Sequence, residues 1–145
     1  MRRRAILTLA FSSLLASCAV PGQKEAGGLA WSLYESEGEG AKLAYGAPAS
    51  DDVVLMLACE PHSGQVRVSR TGAGETIRLA SAGERAQLRG ENWADFPGGY
   101  VEAAAPADHP AFARFAATGQ ISLQHHGRAS ALPVRAGERA RIRDF

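Results

Sequence analysis

The residues able to do chemistry in this 145-residue chain are few, and their spacings match no common catalytic or metal-binding pattern. The cysteines are Cys18 and Cys59, and the histidines are His62, His109, His125 and His126. Adjacent side chains on a strand point to opposite faces, so His125 and His126 do not readily share a metal. No His-x-x-x-His or Cys-x-x-Cys spacing occurs, and no metal site is expected. There is no Gly-x-Ser-x-Gly elbow, no Ser-x-x-Lys pair and no glycine-rich phosphate loop, so no catalytic residue and no cofactor is assigned. Sugar chemistry by paired carboxylates needs two acids across a cleft. The acids here fall mostly in turns, as at Glu35, Glu37 and Glu39, where solvation accounts for them.

Cys59 ends an apolar run beginning at Val53. Apolar neighbours favour the neutral thiol, so a buried, free and unreactive side chain is expected, with pairing to another chain as the alternative. Trp93 lies in a loop at residues 91–99 that mixes aromatic and polar residues. A loop tryptophan either contacts a partner or plugs the end of a sandwich. Asn92, Trp93, Asp95 and Tyr100 are the residues expected to form a partner-contact loop. Trp31 fits the inward phase of its segment and is assigned to the core.

Composition bounds the function further. Hydrophobic residues make up 46% and charged residues 21%, values at which a chain folds. Without Arg2, Arg3 and Arg4 the chain carries 13 basic and 15 acidic residues, a net charge of −2. That balance argues against nucleic acid as a partner. The arginines gather late, at Arg128, Arg135, Arg139, Arg141 and Arg143, as a mixed solvated surface or a basic face.

The three arginines open a segment with the parts of a secretory signal. An apolar stretch follows at residues 5–15, and then small residues. Eleven helical residues rise about 16 Å, short of the roughly 30 Å bilayer core, so this is not a permanent membrane span. Leu15-Ala16-Ser17-Cys18 resembles the lipobox of bacterial lipoproteins, in which an apolar residue and two small ones precede the cysteine that takes the lipid. The resemblance implies a signal peptide at residues 1–17, lipidation (diacylglycerol and palmitate) at Cys18, and membrane partnership through that anchor. Ala19, rather than Asp, follows the cysteine, which in the enterobacterial pattern implies an outer-membrane lipoprotein facing the periplasm. Arg3-Arg4-Ala5-Ile6-Leu7 also resembles a minimal twin-arginine export motif, the alternative being a plain basic region. Polar, glycine-rich residues to position 28 form a tether of at most about 40 Å, so the body works close to the membrane.

The elements that position these residues read as one domain over 29–145. Short apolar runs alternate with turn signals every eight to twelve residues, the mark of an all-β fold. The expectation is a small antiparallel β-sandwich or barrel of seven or eight strands with one short helix in the C-terminal third. Residues 29–34 and 41–45 alternate as paired strands. Residues 53–59 are continuously apolar and form a central strand covered on both faces. Val66-Val68 and Ile77-Leu79 pair as a hairpin through residues 71–74, with Arg67, Arg70 and Arg78 outward. Residues 92–99 are a loop and 100–103 a strand. Asp108 caps a helix over 110–118 that Gly119 stops. Strands follow at Ile121-Leu123 and Leu132-Val134, and residues 138–145 are a last helical turn or a frayed tail. The core comprises Val54, Leu55, Leu57, Val66, Val68, Ile77, Leu79, Ile121 and Leu123. The alternative is an α+β sandwich whose C-terminal segment forms a real helix against the sheet.

Residues 31–59, with Leu43-Ala44-Tyr45-Gly46-Ala47-Pro48-Ala49-Ser50-Asp51 and Leu57-Ala58-Cys59, look like a recurring pattern in short exported proteins of proteobacteria. A fainter similarity is to membrane-bound inhibitors of c-type lysozyme, small β-barrel lipoproteins with a cysteine before a Val-x-Val strand. Cys59, Val66-Arg67-Val68 and Ile77-Arg78-Leu79 carry it. The family's Ser-Gly-x-x-Tyr loop is matched only in part by Pro97-Gly98-Gly99-Tyr100, which lacks the serine and a nearby lysine. That resemblance implies an inhibitor acting by loop insertion around residues 92–100. The residues themselves favour a non-enzymatic envelope module that binds a protein or glycan, ahead of a cell-wall glycan enzyme. Replacing Cys18 tests the anchor: Cys18→Ser should leave the protein released from membranes or unprocessed. Radiolabelled palmitate should enter the wild type alone, and equal labelling of both forms is the contrary result.

Overall fold

The computed structural model describes residues 28–125 and 127–145. The signal segment, Cys18, all of the tether but Gly28, and His126 lie outside the described residues. Among the described residues, ten strands form two antiparallel sheets. The first holds β1 (Ala30–Ser36), β2 (Gly40–Gly46), β3 (Val53–Glu60), β4 (Gln65–Thr71), β7 (Glu91–Trp93) and β8 (Tyr100–Pro106), in the order β1-β2-β3-β4-β8-β7. The second holds β5 (Thr76–Ser81), β6 (Glu84–Arg89), β9 (Ser122–His125) and β10 (Arg128–Ala131), in the order β10-β9-β5-β6. Helix α1 (Pro110–Thr118) packs on β5 and β6. A 3₁₀ turn at Ala136–Glu138 leads into α2 (Arg139–Asp144), which packs on β1 and α1. The expected all-β sandwich is present, with ten strands against the seven or eight expected; β7, three exposed residues long, is too short and polar to stand out as an apolar run.

Period-two alternation builds the interior. Leu43, Tyr45, Leu55, Leu57, Val66, Val68, Val101 and Ala103 point inward from the first sheet, towards Ile77, Leu79, Ala86, Leu88 and Leu123 of the second. Phe112 and Phe115 of α1 and Ile142 of α2 join this cluster. Trp31 is fully buried against Tyr45 and Phe115, with ring centroids 5.2 and 5.0 Å away. Of the nine expected core residues only Val54 is half-buried, where the β2–β3 register shifts beside Gly46.

Several expectations need correcting. Strand β3 is central but covered on one face only. Its outer side chains, Met56 and Ala58, sit beside Lys42 and Arg67, whose stems partly shield them. His109, not Asp108, caps α1, because its Nδ1 accepts from Ala111 N at 3.2 Å. Gly119 closes the helix as expected, donating its N–H to Phe115 O at 2.7 Å. The strand expected at Leu132 and Val134 lies earlier, at β10, and Leu132 is buried just beyond it. Of the two alternatives for residues 138–145, the helical turn is the one present, with Ile142 in the core.

The largest correction concerns β4 and β5, which are not a hairpin. They belong to different sheets, and residues 72–75 carry the chain across. Arg70 shares the inward phase of Val66 and Val68 and is buried, with 6% exposure. Its Nε donates to Thr76 O at 3.3 Å, Nη1 to Thr71 O and Gly72 O at 3.1 Å each, and Nη2 to Ala73 O and Thr76 O at 3.0 and 3.2 Å. Those five bonds use every N–H of the guanidinium. A hairpin would satisfy these carbonyls through its own ladder, whereas this crossing relies on one side chain. Burial pulls the Arg70 pKa down, but a guanidinium holds its proton at neutral pH.

After the tight β5–β6 turn at Ala82-Gly83 the chain returns to the first sheet through Gly90. A Cβ there would lie 2.4 Å from Glu102 O, so only glycine lets β6 pass so close to β8. Replacing Arg70 tests the crossing. Arg70→Met strands four carbonyls and should lower unfolding free energy by about 3 kcal/mol in urea titration. Arg70→Lys, with three donors, should recover only part of that loss.

Candidate functional site

Strands β7 and β8 pair antiparallel, with Trp93 opposite Tyr100, Asn92 opposite Val101 and Glu91 opposite Glu102. Val101 points into the core, so Tyr100 and Glu102 lie on the outer face, and Trp93 and Glu91 lie there with them. The Trp93 and Tyr100 rings are nearly parallel, 7° apart with centroids at 5.8 Å. Phe96 meets Tyr100 edge-on at 5.1 Å. Yet Trp93 remains 40% and Phe96 54% exposed, so the trio forms an aromatic ledge rather than a plug for the sandwich end.

The ledge is held by its turn. Gly99 N donates to Phe96 O at 2.8 Å across Phe96-Pro97-Gly98-Gly99. Proline in the second position and Gly98 at φ 80° in the third are what a type II turn requires. Gly99 O in turn accepts from Gly72 N at 2.9 Å. The aromatic turn is therefore fastened to the crossing that Arg70 organises, and the His125 ring lies close to Gly72 on the same crossing.

Beside Tyr100 the outer face dips into a hollow of about 260 Å³ bordered by Asp51, Met56, Ser69, Thr71 and Glu102. Glu102 accepts from Ser69 Oγ at 3.1 Å and lies 4.0 Å from the Arg67 guanidinium, which sits closer to Glu60 at 2.9 Å. Glu91 and Glu102 are like charges directly opposite one another, an unfavourable cross-strand pair. A larger hollow of about 530 Å³ lies where the β5–β6 turn meets the end of α1. Its polar groups are already engaged: Ser81 Oγ donates to Gln120 O, Thr118 Oγ1 to Arg114 O and Arg139 Nη2 to Ala117 O. Arg139 Nη1 has no partner but is shut away from solvent against Gly119. The smaller hollow is the better candidate because it adjoins the aromatic ledge through Tyr100 and is lined by the Asp51 carboxylate, which has no ion-pair partner among the described residues.

Of the four residues expected in a contact loop, Trp93 and Tyr100 stack and Asp95 lies exposed in the adjoining turn. Asn92 is exposed but points to the other face of the strand. Residues 91–93, expected as part of the loop, are the edge strand β7. Phe96 and the opposed glutamates were not singled out from sequence. The signal for Phe96 was its place before Pro-Gly, where the turn turns the chain outward. The glutamate pairing depends on register and left no sequence signal.

The late arginines do not form one free basic face. Arg135 Nη2 donates to Leu29 O at 3.3 Å, Arg141 Nη1 to Trp31 O at 3.2 Å, and Arg139 to the end of α1. Among the described residues, no three His, Cys, Asp or Glu side chains are grouped to hold a metal. Cys59 is free but only half-buried, a correction to the expected full burial, because its cover is the chain end: Sγ donates to Phe145 O at 3.9 Å. Burial pushes its thiol pKa up, so less thiolate exists at a given pH. Alkylation of native Cys59 at pH 8 should run about tenfold slower than that of an exposed thiol. The rate should climb only above the ordinary thiol range, and Phe145→Ala should speed it, as followed by mass spectrometry.

The chain matches no family model, no curated protein and no solved structure.

Proposed function

We propose that this chain is a non-enzymatic binding module of the bacterial envelope, lipid-anchored at Cys18, on the outer membrane facing the periplasm. Its contact surface is the β7–β8 hairpin. The observation that carries this reading is the Trp93–Phe96–Tyr100 ledge, solvent-exposed yet fixed by ring stacking and a tight turn. Clustered, rigid aromatic area costs free energy in water and returns it on contact, which is why aromatic residues dominate binding hot spots. A rigid ledge also loses little entropy on binding. The short tether would hold this surface near the membrane, within reach of a protein or glycan in the same layer.

Binding rather than catalysis is supported by how the reactive groups are used. The Cys59 thiol is displaced from thiolate, and the hydroxyls of Ser63, Ser81 and Thr118 donate to backbone carbonyls. In-cell photocrosslinking from Asp95, with the full-length lipoprotein, tests the reading. One dominant adduct should form, and Trp93→Ala with Phe96→Ala should remove it while the protein stays folded. An adduct pattern unchanged by those substitutions would overturn it. Dose-dependent inhibition of c-type lysozyme, lost in Trp93→Ala and Tyr100→Ala, would instead support the inhibitor that the sequence resemblance implies.

A further inference from the structure

The charges around the ledge narrow its partner. The outer face near Trp93 and Tyr100 carries Glu91, Glu102 and Asp51, and Asp95 stands in the adjoining turn. Lys42 and Arg67, basic groups of this face, are engaged with Glu39 and Glu60. Arg70 borders the hollow but turns its guanidinium to the inner side of β4, where every N–H is occupied by backbone carbonyls. Among the described residues, Asp51, Glu91 and Asp95 have no ion-pair partner. The site thus offers aromatic faces and unpaired carboxylates, and its donors (the Thr71 and Tyr100 hydroxyls and the Trp93 indole N–H) are all neutral.

A ligand that complements it must be cationic and a donor. Lysine and arginine side chains donate only, and both are attracted to the negative faces of tryptophan and tyrosine. The hollow, at about 260 Å³, falls just below the size of ordinary small-molecule sites and suits one long side chain. A neutral saccharide could stack on the rings, but it would leave Asp51, Glu91 and Asp95 without a counter-charge. An anionic lipid surface or acidic glycan would be repelled. The opposed Glu91 and Glu102 point the same way, because a cation placed between them turns an unfavourable pair into a favourable one.

We infer that the ledge and hollow receive a basic polypeptide segment of a partner, with an arginine or lysine side chain seated between Trp93, Tyr100 and the Glu91–Glu102 pair. This rests on the reading of the β7–β8 hairpin as the contact surface. The exposed Trp93 is its own reporter, because Trp31 is buried and insensitive to surface ligands.

The full-length protein in neutral detergent is titrated with hexa-arginine, hexa-glutamate and an N-acetylglucosamine oligomer, and tryptophan emission is followed. Hexa-arginine alone should give a saturable change, weakened about tenfold between about 0.05 and 0.5 M salt. Trp93→Ala keeps every charge, so isothermal titration calorimetry is used for it and should show at least several-fold weaker binding. Glu91→Gln keeps every ring and should weaken binding comparably. Binding of hexa-arginine that ignores both substitutions is non-specific attraction to an acidic chain and overturns the inference. So does saturation by the saccharide but not by hexa-arginine. That result would leave the contact surface standing, whereas a crosslinked adduct insensitive to Trp93→Ala with Phe96→Ala would remove the surface itself.

Discussion

The guanidinium of Arg70 governs how the two halves of this molecule meet. A chain leaving one sheet for another gives up the ladder that would satisfy its carbonyls, and those left buried must find donors elsewhere. Here one side chain supplies them all, to Thr71, Gly72, Ala73 and Thr76. The start of β5 and the position of Gly72 are tied to that arrangement. Through the Gly72–Gly99 hydrogen bond, so is the placement of the aromatic turn. The ledge inherits its rigidity from a buried charge on the opposite side of strand β4.

A second constraint closes the sheet edge at β1. An edge strand presents unpaired backbone groups that invite pairing with another chain. Glu138 accepts from Trp31 N at 3.2 Å and from Arg135 N at 2.8 Å, while Arg141 donates to Trp31 O and Arg135 to Leu29 O. Side chains from the end of the chain thus stand in for a missing strand. Glu138 is almost fully buried, and its two backbone N–H donors are what make that burial tolerable. The same carboxylate, with burial as the larger cause, pushes the Tyr45 phenol pKa up.

Much of the fold was legible because one physical signal, period two, runs through most strands. It placed the inward rows at Val66-Val68, Ile77-Leu79 and Ile121-Leu123, and it assigned Trp31 to the core. Arg70 shows where chemical type misleads: it continues the Val66-Val68 phase, but a charged residue reads as outward, and the sheet crossing that it organises looks locally like a hairpin. Asp108 and His109 show the same failure at smaller scale, since either can accept a hydrogen bond and only backbone geometry chose the histidine. At the site, Trp93 and Tyr100 were visible as aromatic residues in a polar stretch. Their stacking and the apposition of Glu91 with Glu102 follow from register, which no local pattern encodes.

The bond between Glu138 and Trp31 spans 107 positions of the chain. Synthesis proceeds from the N-terminal end, so the first strand reaches its surroundings long before the residues that cover its flank. During that interval β1 has a partner in β2 on one side and bare amides on the other. Long-range closures of this kind slow folding and lengthen exposure to misassociation. Covering of the β1 edge is therefore timed by the arrival of Arg135, Glu138 and Arg141. A chain cut short before Glu138 would keep an adhesive margin, a physical mark by which unfinished copies differ from finished ones.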